Sequence, residues 1–270
     1  MKIIFEKKST ELLSKFISLF SKKKFVYFFN FYSFLMNSKN RIFYNEKVYY
    51  CDSKNWRFSQ KLQGLFAYGK GFKKRIDNLK KVYLIDDIKF QNNDLIIDVG
   101  ANNGDFFLCF DEDINYYGIE PSPEIFSNLE YNVKKQNLIN KGCWKESGKK
   151  IEFYLKDEFG DSSFIPIDNF SKKIIIDTIT LDEVISQVNK PIKLIKLEAE
   201  GAEPEVLFGL KNKINLVEYI TIDCGFERGI SQTSTIAQCS NYLISNNFEM
   251  INFGFPRLVA LYKNKNLNKD

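Results

Sequence analysis

A turn rich in small and acidic residues follows an apolar run in the middle of the chain. The run Leu95-Ile96-Ile97 leads into Asp98-Val-Gly100-Ala-Asn-Asn-Gly-Asp105. Glycine at position 100 allows backbone angles that other residues avoid, and lets a ligand approach the backbone closely. Asp98 and Asp105 would repel a pyrophosphate and would favour a ligand with a cationic ammonium or sulfonium group.

Two common phosphate-binding patterns are missing from this turn. The dinucleotide pattern G-x-G-x-x-G fails, because Asn102 and Asp105 stand two and five positions after Gly100. The P-loop fails too, because no Gly-Lys-Ser or Gly-Lys-Thr occurs. Glu120 ends the next apolar segment, where a carboxylate can accept hydrogen bonds from both ribose hydroxyls. The pair of motifs predicts S-adenosylmethionine; a flavodoxin-like or response-regulator-like sheet with acids at strand ends is the alternative.

A second acidic segment, Lys196-Leu-Glu198-Ala-Glu200-Gly-Ala-Glu203, follows another predicted strand. Acids at the start of a helix complement its dipole, which accounts for Glu203 in part but not for Glu198 or Glu200. Asp223 ends the next predicted strand. Because the carboxyl ends of parallel strands form one ligand crevice, we expect Glu198, Glu200 and Asp223 to be the catalytic candidates.

The chain contains no histidine. Catalysis by Ser-His-Asp or Cys-His groups and metal sites with histidine ligands are therefore excluded. Any general base must be Asp, Glu, Lys, Tyr, Cys or a metal-bound water. We expect Glu198, Glu200 or Asp223 to act as the base; the alternative is a divalent cation held by Glu198 and Asp223 that lowers the pKa of the reacting group. We favour the metal-free route.

The five cysteines form no CxxC pair, which indicates neither a disulfide framework nor a zinc site and favours a cytoplasmic protein.

Alternating apolar and amphipathic segments must position these residues. They predict an α/β fold with a doubly wound, mostly parallel, Rossmann-like sheet and an antiparallel C-terminal edge hairpin. The predicted strands cover residues 95–99, 115–120, 139–144, 151–155, 192–198, 219–223, 248–253 and 258–262, and the main predicted helices begin at 123, 203 and 233.

The basic charge is concentrated near the N-terminus. Residues 1–90 hold 20 Lys and Arg against 7 Asp and Glu, although the whole chain has a net charge of only +5. We predict a basic, aromatic-rich, partly helical extension over residues 1–60 and a catalytic domain over residues 61–270. The extension could contact an anionic membrane surface, so peripheral association with the inner face of the membrane is one expectation; its alternative is a solvated face. Nucleic acid is disfavoured, and no signal peptide is evident.

Five motifs in order resemble the FkbM-type family of S-adenosylmethionine-dependent O-methyltransferases. The motifs are Asp98-Val-Gly-Ala-Asn, Glu120-Pro-Ser, Asp161-Ser-Ser, Thr180-Leu-Asp and Lys196-Leu-Glu-Ala-Glu-Gly-Ala-Glu. The resemblance implies a class I methyltransferase sheet, with the methionine moiety held by the first motif and the ribose by Glu120. It also implies a cofactor set of Asp98, Gly100, Asn102, Asn103, Gly104, Glu120, Pro121, Ser122, Cys143, Asp161 and Ser162. Many members have Asp-Val-Glu-Gly where this chain has Glu198-Ala-Glu200-Gly, so Glu200 matches the family pattern better than Glu198.

The resemblance implies O-methylation of a sugar or glycan precursor in surface polysaccharide synthesis, with a sugar, nucleotide-sugar or glycan as the acceptor. Methylation of a natural product and a non-catalytic scaffold at the membrane are the alternatives. Glu203 and Arg228 are assigned to the substrate side, because an arginine near the crevice could clamp an anionic acceptor. A surface ion pair is the other interpretation of Arg228.

Overall fold

The computed structural model describes residues 16–17, 19–134, 136–156, 162–188 and 190–267. The described chain forms two compact units, which meet in sequence between Arg75 and Ile76. The predicted domain boundary at residue 60 therefore lies inside the first unit.

Aromatic side chains pack together in the core of the first unit. Phe25 and Phe29, one helical turn apart, are fully buried and contact the rings of Tyr49 and Phe58. The segment 41–51, predicted to be a strand or hairpin, is the hairpin β1–β2, and the antiparallel order is β1-β2-β3. The elements are α1 (Lys23–Leu35), β1 (Ile42–Asn45), β2 (Val48–Cys51), β3 (Trp56–Phe58), α2 (Lys61–Tyr68) and α3 (Phe72–Val82), which contains the junction with the second unit.

The second unit contains two sheets. Its strands are β4 (Leu95–Val99), β5 (Asn115–Ile119), β6 (Asn137–Ile139), β7 (Gly142–Cys143), β8 (Lys150–Leu155), β9 (Lys172–Ile179), β10 (Ile192–Leu197), β11 (Val217–Asp223), β12 (Phe248–Gly254) and β13 (Val259–Asn264). Its helices are α4 (Pro123–Asn132), α5 (Leu181–Val188), α6 (Glu203–Leu207) and α7 (Ile236–Ser245). Short 3-10 turns cover Asp52–Lys54 in the first unit and Asp105–Cys109, Ile214–Leu216 and Lys265–Leu267 in the second.

The larger sheet has the order β12-β13-β11-β10-β4-β5-β6. Its strands β11, β10, β4, β5 and β6 are parallel neighbours, and β13 is antiparallel to both β11 and β12. Of the two central strands, all five residues of β4 and five of the six residues of β10 are buried. Their apolar residues are therefore covered on both faces of the sheet. The predicted doubly wound, mostly parallel sheet with an antiparallel C-terminal hairpin is confirmed.

Residues 139–144 do not form the single strand that was predicted. Strand β6 ends at Ile139, and β7 pairs with β9 in a separate sheet of order β7-β9-β8. Between them the side-chain amide of Asn140 donates to the carbonyl oxygens of Glu120 and Pro121, which turns the chain away from the large sheet.

In the part of the chain that the structure describes, no helix is both long and apolar enough to cross a bilayer.

Candidate active site

The acidic motifs meet at one edge of the large sheet. Asp98 on β4 lies in register with Lys196 on β10, and Leu197 lies beside both Val99 and Ile222. The segments that follow these parallel strands therefore leave the sheet at the same edge. The structure brings together the turn after β4, Glu120 after β5, Glu198 after β10 and the end of β11.

The turn after β4 has little free space. Gly100 has a φ of +72°, and a Cβ atom there would lie 2.0 Å from the carbonyl oxygen of Glu198. Gly104 has a φ of +90°, and its Cβ would lie 2.4 Å from a methyl group of Val133. Both positions therefore require glycine for backbone angle and for space. Asn102 also has a positive φ, and its backbone N–H points at Glu120.

Glu120 is anchored by two backbone groups. Its Oε2 accepts the N–H of Asn102 at 3.0 Å, and its Oε1 accepts the N–H of Ser122 at 2.9 Å. Burial raises the pKa of this carboxyl to about 7, against the opposing effect of the two backbone hydrogen bonds. Each oxygen has a second lone pair for another donor. The two acceptor oxygens therefore fit a ribose diol, whose hydroxyls would donate to them.

Asp98 faces a cation that belongs to the protein. Its side chain is fully buried, lies 3.0 Å from Nζ of Lys196 and accepts the hydroxyl of Tyr116. Burial raises the pKa of Asp98, and Lys196 opposes that rise. Lys196 also donates to the carbonyl oxygen of Gly100 at 2.8 Å. The ion pair thus supports the turn, and a contact of Asp98 with the cationic part of a ligand stays a prediction.

Other predicted cofactor residues hold this region together. Asn103 is buried; its side-chain oxygen accepts from Asn128 and its carbonyl oxygen from Asn132, which ties the turn to α4. Ser122 directly precedes α4 and Pro121 is half-buried. These contacts fix the position of the crevice relative to α4.

Cys143 and Ser162 belong to other segments of the second unit. Cys143 is a buried member of the core, where burial raises the pKa of its thiol, and the hydroxyl of Ser162 accepts the N–H of Lys156. Asp161 lies outside the described residues. A contact of these three residues with the cofactor stays a prediction.

A network of charged groups lies beside the turn. Arg257, in the turn between β12 and β13, donates to both Glu198 and Asp223, and Tyr83 donates its hydroxyl to Glu198. Nζ of Lys196 lies 3.3 Å from the same Glu198 carboxylate. Burial alone would raise the pKa of Glu198. The positive charges of Arg257 and Lys196 have the larger, opposite effect and lower this pKa to about 2. Glu198 is therefore a weak base.

The carboxylates after β11 have the opposite electrostatics. Burial, and next the charge of Glu198, raise the pKa of Asp223, which Arg257 partly offsets. Burial, with the charges of Asp223 and Glu198, raises the pKa of Glu227 to about 8. Glu227 lies next to Asp223 across Gly225: an added Cβ on this glycine would be 3.2 Å from Oδ1 of Asp223 and 3.4 Å from Oε1 of Glu227. Glu227 is thus a half-buried acid able to exchange a proton near neutral pH.

The remaining predicted acids differ in their surroundings. Glu200 is half-buried with a φ of +49°, and its carbonyl oxygen accepts the hydroxyl of Ser163 at 2.7 Å. Glu203 is only 1% exposed; its Oε1 accepts the N–H groups of Ala199 and Gly201, and its Oε2 accepts the hydroxyl of Thr235. Glu203 therefore holds the loop after β10, and its contact with an acceptor stays a prediction.

Arg228, predicted to clamp an anionic acceptor, forms a two-pronged ion pair with Glu205 at 2.6 and 2.8 Å. It also donates to the carbonyl oxygen of Gly201. These contacts use its guanidinium to fix the loop after β10, which agrees with the ion-pair interpretation.

Sequence reasoning missed Arg257, Tyr83, Lys196 and Glu227 as members of the site. Arg257 was the easiest to find, because it is one of five arginines and lies in the predicted C-terminal hairpin turn. Its guanidinium bridges the two carboxylates that the metal hypothesis assigned to a divalent cation. In the described ranges, no group of three or more Cys, Asp and Glu side chains is arranged to hold a metal ion.

Comparison with known proteins identifies the family of this chain. The model of the family described as Methyltransferase FkbM domain matches residues 98–250, which is more than half of the chain. Hexuronic acid methyltransferase AglP of Haloferax volcanii is 27% identical over 146 residues, which cover 49% of this chain and 56% of the relative. The match thus spans little more than half the length of that relative.

Solved methyltransferase structures are distantly similar. Magnesium protoporphyrin IX methyltransferase from Synechocystis, with bound SAM, has a TM-score of 0.44 at 10% identity, covering 74% of this chain and 83% of its own. A SAM dependent methyltransferase from Aquifex aeolicus has a TM-score of 0.39 at 13% identity, covering 70% and 96%.

Proposed function

The chain belongs to the FkbM methyltransferase family, and we propose that it transfers a methyl group from S-adenosylmethionine to a hydroxyl group of a sugar. The observation that carries the proposal is the pairing of a glycine turn at Gly100 with a buried carboxylate, Glu120, at the carboxyl ends of neighbouring parallel strands. A relative named for hexuronic acid methylation supports a sugar as the acceptor.

The donor would supply an electrophilic methyl group on a sulfonium centre. Glu120 would bind the ribose hydroxyls through the free lone pairs of its two oxygens, and the backbone at Gly100 would lie against the methionine moiety. Because methyl transfer is an in-line displacement, most of the rate enhancement would come from holding donor and acceptor in line. The ion pair of Asp98 with Lys196 would keep this turn in its bound form.

The acceptor hydroxyl also has to lose a proton. The low pKa of Glu198 and its contacts with Arg257, Lys196 and Tyr83 make it a poor base. Glu227 is the better candidate, because a carboxyl with a pKa of about 8 can take a proton near neutral pH. Glu200 stays a second candidate from the sequence. We infer that Arg257 keeps Glu198 charged and holds both Glu198 and Asp223 in place, without need of a divalent cation between them.

The name of the relative supports a uronic acid, so the proposal extends to a uronic acid or another sugar in a glycan precursor, handled in the cytoplasm. A test is to incubate the full chain with S-adenosylmethionine carrying a labelled methyl group and a panel of acceptors. The panel contains glucose, glucuronic acid and the nucleotide-linked form of each. We expect label in a sugar hydroxyl; label in none of these sugars, with the donor bound, would redirect the proposal to a natural product.

Binding of S-adenosylmethionine distinguishes an enzyme from a non-catalytic scaffold. A protein that retains the sheet as a scaffold would bind no S-adenosylmethionine at millimolar concentration, whereas the proposed enzyme would bind it and release S-adenosylhomocysteine when an acceptor is present. Glu120→Ala should abolish both, whereas the matched control Glu249→Ala, at an exposed position on the edge strand β12, should change neither.

A further inference from the structure

Helix α1 in the first unit is apolar on two sides. One side, which carries Phe25 and Phe29, is buried. The other is exposed to solvent: Tyr27 is 79% exposed, Phe31 61% and Phe34 67%. A helix of a soluble protein normally carries polar residues on the side that faces water. The second side therefore requires a separate explanation.

The exposed residues are neighbours on the helix surface. Tyr27, Phe31, Phe34 and Leu35 stand at spacings of four, seven and eight residues, which places them on one face; we call this the aromatic face. Leu19, just before the helix, is also exposed. A contiguous exposed apolar surface of this kind usually marks an interaction site.

The charge around the aromatic face is of one sign. Lys22, Lys23 and Lys24 at the start of α1 are exposed, and the sequence contains no acidic residue between Glu11 and Glu46. A second copy of the helix would bring its own lysines to the contact, which like-charge repulsion opposes. Aromatic residues beside lysines are the composition of a helix that lies in the headgroup region of an anionic bilayer.

We propose that α1 is an interfacial membrane helix, with its aromatic face entering the headgroup region of an anionic bilayer and Lys22–Lys24 binding lipid phosphates. The opposite face, through Phe25 and Phe29, holds the helix to the first unit. The proposal does not depend on the methyl-transfer reaction. It rests on the exposure, spacing and charge of α1 alone.

Vesicle sedimentation of the full chain tests this proposal. We expect binding to vesicles of phosphatidylcholine mixed with phosphatidylserine, weak binding to phosphatidylcholine alone, and release as salt is raised. The double variant Lys23→Gln/Lys24→Gln should bind the anionic vesicles about 25-fold more weakly, since each lysine near such a surface contributes on the order of fivefold.

The apolar contribution is tested with Phe31→Ser/Phe34→Ser, which should reduce binding at least about tenfold without lowering the melting temperature, because both side chains face solvent. Ile175→Ser is the matched control: Ile175 is 60% exposed on β9, outside the helix, and its loss should leave binding unchanged. If the serine variant unfolds, the lysine variant still decides the question.

Three results would overturn the proposal. The first is no binding of the wild-type chain to anionic vesicles. The second is binding that Phe31→Ser/Phe34→Ser leaves intact. The third is a dimer in sedimentation equilibrium that this double variant converts to a monomer, which would assign the aromatic face to a second copy of the chain.

Discussion

The buried carboxyl of Glu203 gives a prediction with a definite sign and size. Glu203 lies at the start of α6, where its oxygens accept two backbone N–H groups and the hydroxyl of Thr235. A glutamine in its place can keep this geometry, with its oxygen accepting both N–H groups and its amide donating to the Thr235 hydroxyl oxygen. Glu203→Gln therefore removes a buried charge and retains the hydrogen bonds.

The magnitude follows from the pKa. Burial raises the pKa of Glu203 from its ordinary value of 4.5 to about 7, although its hydrogen bonds oppose the rise. Between pH 4.5 and about pH 7, Glu203 is protonated in the folded state and deprotonated in the unfolded state. The stability contributed by this group is thus complete below pH 4.5 and is lost as pH rises through about 7. The loss amounts to about 3 kcal/mol.

Urea unfolding of the wild type and Glu203→Gln from pH 4 to pH 8.5 measures the effect. We expect equal stability near pH 4 and a variant more stable by about 2–3 kcal/mol above pH 7.5. Methyl-transfer activity should be retained, because the side chain is buried against the loop. Glu203→Ala is the control that removes the hydrogen bonds and should destabilise the fold. A Gln variant that is less stable at pH 8, or stable but inactive, would refute the reasoning.

Three further predictions concern the crevice. Gly100→Ala should abolish S-adenosylmethionine binding in calorimetry because its Cβ would meet the Glu198 carbonyl, whereas Gly148→Ala, with a similar φ but open space, should keep it. Activity should rise with pH through about 8 as Glu227 loses its proton, and Glu227→Gln should be slower by about 10²–10⁴-fold without that rise. Activity should persist in EDTA because Arg257 bridges the carboxylates; loss that Mg²⁺ restores would contradict this.

Much of the fold was predictable because its signals are local. The apolar residues before Asp98 indicate a central strand, and Gly100 and Gly104 indicate the turn that follows this strand. The rule that parallel strands place their carboxyl ends at one edge then brings Glu120 and Glu198 to the same crevice. These inferences need only short stretches of sequence and a general property of parallel sheets.

The partners of the acids were not predictable in the same way. Arg257 lies 59 residues from Glu198 in the chain, and only the insertion of β13 between β11 and β12 brings it there. Lys196 reaches Asp98 because β10 and β4 are in register, which sequence spacing does not reveal. Glu203 resembles a solvent-exposed acid of a helix start, and its hydrogen bond with Thr235, just before α7, joins residues 32 positions apart in the chain.

The central claim is that the donor lies at the carboxyl ends of β4 and β5, with its ribose on Glu120. A crystal structure of the full chain with S-adenosylhomocysteine tests this most directly. We predict both ribose hydroxyls within hydrogen-bond distance of the Glu120 carboxylate and the amino acid portion against the backbone at Gly100. A ligand bound at another edge of the sheet, with Glu120 contacting only the protein, would contradict it.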